Sequence, residues 1–149
     1  MTMPALRATR VLTVLGLVLT LALGLWPFMT PDLLADHIQH GYPDYTDAEV
    51  GAAVNTWQVA LATVAGLGVI GWIWTLVTLR QPHRWAPFSA TALLAVALIV
   101  AVVLITTPDT SGEVGLVPVM GWAWLAPCVV GIVVTGSTWR IRRAASPSR

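Results

Sequence analysis

Four stretches of this 149-residue chain, at about residues 11–29, 52–79, 88–107 and 115–139, contain no Asp, Glu, Lys, Arg or His. A helix needs roughly 20 mainly apolar residues to cross a hydrocarbon layer of about 30 Å, and each stretch meets that length. Apolar residues make up 56% of the chain and charged residues 10%, whereas a soluble domain carries about 25% charged residues. A water-exposed fold of this size has no core large enough to take up so much apolar surface. The reading is an all-α membrane protein: one integral membrane domain over residues 1–149, folded as an antiparallel four-transmembrane-helix bundle.

The charges that remain are sorted by segment. All eight basic residues are arginines: Arg7 and Arg10 before the first stretch, Arg80 and Arg84 in the connection 80–87, and Arg140, Arg142, Arg143 and Arg149 in the tail 140–149. All seven acids lie elsewhere, with Asp32, Asp36, Asp44, Asp47 and Glu49 in segment 30–51 and Asp109 and Glu113 in segment 108–114. Arginine-bearing segments stay on the cytoplasmic side, so both termini are expected in the cytoplasm, the two acidic loops outside, and the protein in a plasma membrane. Tail 1–10 followed by an apolar run imitates a secretory signal. The run is longer than a signal needs, and Ala22-Leu23-Gly24 before Leu25 and Trp26 makes a poor cleavage site, so an uncleaved anchor is expected. The lack of lysine fits a GC-rich bacterial genome.

Between helices in lipid there is little hydrophobic drive, so close packing of small residues decides association. Ala62, Gly66, Gly68 and Gly71 offer such a face on the second span, Ala97 and Ala101 on the third, and Ala123 and Gly131 on the fourth. Pro118 and Pro127 predict a kink near Pro127, because an interior proline removes a helical hydrogen bond. Most of the eight tryptophans lie near span ends, as interfacial anchors do; Trp122 and Trp124 are the two that point to a groove. Asn55, Thr56 and Gln58, near the start of span two, are expected to meet headgroups and water.

Segment 30–51 carries the chemistry. Thr30, Pro31, Asp32 and Gly41 punctuate a short amphipathic helix over 31–40, which would either lie on the membrane surface or roof the bundle. Thr46-Asp47-Ala48-Glu49 reads as a capping box opening the next helix. His37 and His40 are three apart on the short helix and share a side. Two imidazoles with a carboxylate suit zinc or another divalent transition ion, which makes Asp36, His37, His40 and Asp44 the candidate metal ligands, with Asp47 or Glu49 as alternatives. The competing reading is a solvated or interaction surface. Asp109-Thr110-Ser111-Gly112-Glu113 reads as a turn beside this loop.

No Ser-His-Asp order, glycine-rich phosphate loop, HExxH or CxxC occurs, and the arginines are too dispersed for nucleic acid. No enzymatic activity is therefore expected, and apart from a divalent metal no cofactor. The segment His40-Gly41-Tyr42-Pro43-Asp44-Tyr45-Thr46 before span two, with Asp109-Thr110-Ser111-Gly112 before span four, resembles uncharacterised small four-span membrane proteins of actinobacteria. That resemblance implies a plasma-membrane location and no established activity. The expected partners are the lipid bilayer and either a second copy of the chain or another membrane protein. The leading function is a partner-binding or accessory membrane subunit, and the alternative is a subunit of a small-solute or metal-ion transporter or channel that uses the His/Asp loop.

Overall fold

The computed structural model describes residues 3–80, 85–109 and 115–145. Arg84, Arg149 and the part of the acidic turn at 110–113 lie outside them. Among the described residues there are six helices: α1 (Met3–Met29), α2 (Pro31–Gly41), α3 (Asp47–Arg80), α4 (Ala86–Thr106), α5 (Pro118–Ala123) and α6 (Leu125–Ala145). Four are long and apolar enough to cross a membrane, with α5 and α6 counted as one interrupted span. This is the build of a small multi-pass membrane protein in contact with lipid. The spans run antiparallel. α1 packs on α3 and α6, α4 packs on α6, and α4 meets α3 only sparingly.

The inward face of α1 is a row of small residues spaced by three or four: Thr9, Thr13, Gly16, Thr20, Gly24 and Pro27 are all buried. Val11, Val14, Val18, Leu21 and Leu25 on the same helix are exposed. Buried threonine is tolerated here because each hydroxyl donates to a carbonyl one turn back, Thr9 to Ala5 O at 2.9 Å, Thr13 to Thr9 O at 2.8 Å and Thr20 to Gly16 O at 2.8 Å. Small residues bring the backbones together: a Cβ at Gly24 would collide with the Cβ of Ala65, and one at Gly16 with the Trp72 ring. Trp72 donates its indole N–H to Thr20 Oγ1 at 2.9 Å, so this tryptophan is an internal strut of the bundle.

The face of α3 that packs inward is therefore Leu61, Ala65, Gly68 and Trp72. Ala62 and Gly66, expected in the packing row, are exposed, and a Cβ on Gly66 would meet nothing within 4 Å. A helix apolar all round carries no amphipathic signal to tell its two small-residue rows apart. On α4, Ala101 is buried while Ala97 is exposed. In the last span Gly131 and Pro127 are buried and Ala123 is half-buried.

Prolines shape two junctions. The Pro27 carbonyl would ordinarily accept from the residue four ahead, but that residue is Pro31, which has no N–H. Gln58 supplies the donor, its side-chain amide reaching Pro27 O at 3.0 Å. This polar residue thus ties the α1–α2 corner to α3, whereas Asn55 and Thr56 are exposed as expected. The last span starts at Pro118, three residues later than the apolar stretch, and is interrupted at Trp124. Pro127 has no N–H for the Ala123 carbonyl and its ring crowds that carbonyl, which places the break between α5 and α6.

At the end of the bundle where the arginines gather, Arg10 caps α3 by donating to Leu79 O at 3.3 Å. Arg142 lies over the Phe88 ring, 4.8 Å from its centroid, with the Trp139 ring 5.4 Å away. Trp139 in turn donates to Thr91 Oγ1 at 3.1 Å.

Candidate functional site

The opposite end is closed by α2. Pro31 occupies its first turn with Asp32, where a missing N–H costs nothing and a carboxylate favours the positive end of the helix. Thr30 makes no side-chain cap and instead donates its hydroxyl back to Trp26 O at 3.2 Å. The helix runs one residue past the expected end, to Gly41, and the Tyr42 N–H closes it on Ile38 O at 2.9 Å. A turn follows in which Tyr42 and Tyr45 stack at 4.5 Å and Gln39 reaches Pro43 O at 3.1 Å.

The capping box then forms as its four residues predict. The Thr46 backbone N–H and hydroxyl each donate to Glu49 Oε2 at 2.8 Å, and the Glu49 N–H returns to Thr46 Oγ1 at 3.4 Å. These bonds favour the ionised carboxylate, first the one from the Thr46 backbone and then the one from its hydroxyl, and hold the Glu49 pKa below its ordinary value. At 34 residues α3 is about 51 Å long, more than a hydrocarbon layer needs, and its uncharged stretch begins only after Glu49, so its first turn and Glu49 stand clear of the spanning segment.

Of the two placements open to the amphipathic helix, the roof is the one adopted. Leu34 and Ile38 are 0% and 6% exposed, and they pack with Val50, Val54, Leu116 and Met120 in the main hydrophobic core. Burying one side of α2 fixes where the other side points. Asp32, Asp36 and His40 are exposed and His37 is half-buried.

Asp36, His37 and His40 line one hollow of about 360 Å³ together with Tyr42 and Asp109. Asp109 arrives from the end of α4 because Gly115 lets the chain close up there: its N–H donates to Thr107 O at 3.3 Å, and a Cβ on it would press on Trp57 at 3.0 Å and on Asp109 at 3.3 Å. Sequence reading placed the second acidic loop beside the first but left Asp109 out of the candidate set. The available signal was its position two residues after span three.

Asp44 does not line the hollow. Glu49 is committed to Thr46, and Asp47 is exposed in the first turn of α3. Among the described residues no three His, Cys, Asp or Glu side chains come together as a metal-holding group. What the hollow presents is two imidazoles and two carboxylates around a solvent-accessible recess beside a stacked tyrosine pair, an arrangement suited to attracting cations. Cys128 does not line the hollow and is buried on α6.

Compared with protein-family models, with curated proteins and with solved structures, the chain matches none, so a functional reading has to come from the site itself.

Proposed function

We propose that this protein is a non-enzymatic accessory subunit of a plasma membrane, with both termini in the cytoplasm, and that it binds another membrane or extracytoplasmic protein through the face carrying α2. The observation that carries this reading is the build of α2. It is anchored to the core by Leu34 and Ile38, its corner with α1 is tied by Gln58, and it is followed by a hydrogen-bonded cap, while Asp32, Asp36 and His40 are held outward. An ordered acidic surface presents charge at little further entropic cost to binding. The segregation of arginines supports the sidedness.

Purification in mild detergent tests it. The expected result is a stable hetero-complex that Asp32→Lys with Asp36→Lys disrupts and that high salt weakens. A monomer recovered alone from every detergent, or a complex indifferent to both changes, would overturn the reading.

A second reading is favoured by the hollow at Asp36, His37, His40 and Asp109: a transporter or channel subunit that receives a divalent metal ion or small cation there. Elemental analysis and calorimetry on the wild type and on His37→Ala/His40→Ala separate the two. Stoichiometric metal lost in the double variant supports the second reading, and no bound metal in either leaves the first.

A further inference from the structure

The α3–α4 seam differs from every other seam in the bundle. Little of α4 is covered: 11% of its most apolar window is buried, the smallest share of the four spans. Between α3 and α4, with α6 as floor, lies a cavity of about 180 Å³. Gly68, Gly71 and Trp72 belong to its α3 wall, Ala97 to its α4 wall, and Cys128 and Gly131 to its floor. Leu67 and Val96, 66% and 60% exposed, stand among the lining residues, so the cavity opens sideways, within the spans, toward the hydrocarbon of the membrane.

The contents are constrained by size and by polarity. A helix is about 10 Å across, far too wide for this space. At about 30 Å³ per water-sized group the enclosed part holds roughly six, a short run of methylenes, so a longer chain would lie partly in the open side of the slot. Water is disfavoured because the three threonines on the wall already donate, Thr20 to Gly16 O, Thr75 to Gly71 O and Thr135 to Ala90 O, and a buried water needs two to four polar partners. Leaving the space empty forfeits the dispersion contacts of its lining. The wall spans residues 64 to 75 of α3, about 16 Å along the axis, so the slot lies lengthwise, as an extended chain does.

We propose that this slot holds one hydrocarbon chain of a membrane lipid, inserted between α3 and α4 and resting on α6. The chain completes the bundle where side chains leave it open, and this holds independently of what binds at the α2 end.

The test uses the full-length protein in phosphatidylcholine vesicles doped with the same lipid bearing a diazirine midway along one acyl chain. After irradiation, residue-resolved mass spectrometry compares floor positions Cys128 and Val134, 4% and 2% exposed, with Val129 and Ile132, which are 60% and 53% exposed on the outer side of the same helix. The expected result is labelling at both sets, with the floor signal falling several-fold in Ala97→Phe and in Gly71→Leu while the outer signal stays constant. The two variants plug the slot from opposite walls, so a folding defect in one leaves the other to decide. Labelling confined to the outer set in the wild type, or a floor signal unmoved by either plug, would overturn the proposal.

Discussion

The two halves of the bundle bury opposite kinds of residue. At the α2 end the core is made of large aliphatic side chains, Leu34, Ile38, Val54, Leu116 and Met120. Along the middle of α1 the buried positions are Thr13, Gly16, Thr20 and Gly24, with Ala65 and Trp72 of α3 against the glycines, while Val14, Leu15, Val18 and Leu67 face out; Leu61 of α3, 0% exposed, belongs to the same aliphatic cluster as Leu34. The difference follows the solvent. Where water reaches the α2 end, burying a leucine is favourable by about 1.5–3 kcal/mol. Where hydrocarbon surrounds the helices, a leucine gains nothing by turning inward, and small residues win because they let backbones and hydrogen-bonding hydroxyls approach.

The sharpest way to break this comparison is to truncate the large side chain at the roof. Leu34→Ala should cost about 3 kcal/mol, read as a lower unfolding midpoint and faster proteolysis at 30–46. A change near zero would mean that α2 rests on the bundle without being part of its core. Next in size is the opposite manipulation in the middle. Gly24→Val forces side-chain atoms against Ala65 and should destabilise by about 1–3 kcal/mol, although the same change on a lipid-facing position such as Gly66 should be tolerated. If thermal melts in detergent rank those two variants equally, the small-residue row is not what holds α1 to α3.

Gln58 sits where the two regimes meet. Replacing it with leucine leaves Pro27 O without a donor and should cost about 1 kcal/mol, in the range of interhelical hydrogen bonds in membranes. Faster amide exchange around residues 28–34 is the expected signature, and unchanged exchange would show that the corner needs no tie. The smallest effect is electrostatic. Because the folded Glu49 pKa lies below its ordinary value, its contribution is present above the unfolded pKa near 4.3 and disappears as pH falls through the folded value. Acidification should therefore loosen the first turn of α3 in the wild type, and Thr46→Ala should remove most of that pH dependence. Equal acid sensitivity in both proteins would dissociate the cap from the titration.

The sequence and the structure agree where the signal is local. Pro31 after Thr30, the Thr46 and Glu49 pair, and Pro127 inside a helical run each act within one or two turns, and α2, the start of α3 and the break at Trp124 stand beside them. The agreement fails for rotation about a helix axis. Ala62 and Gly66 differ from Ala65 and Gly68 in no local property, and the Thr and Gly row of α1, spaced by three and four, carries no amphipathic signal that marks it as the inward one on a helix apolar all round. The candidate site divides in the same way. His37, His40 and Asp36 share a hollow because they are close on one helix, while Asp44 is carried away by the Tyr42–Tyr45 turn and Asp109 is brought in by a glycine more than seventy residues downstream of α2.

By itself the sequence determined the number of spans, their approximate ends, the separation of arginines from acids, and the short helix with its cap. These depend on length, charge and backbone chemistry, which act residue by residue. Only the tertiary structure decided that α2 is a roof, which row of small residues faces inward, that Gln58 serves the Pro27 carbonyl, and that α3 and α4 stand apart around a slot. Each of these depends on which surfaces meet, and in a helix apolar on every side that choice belongs to the partner helix.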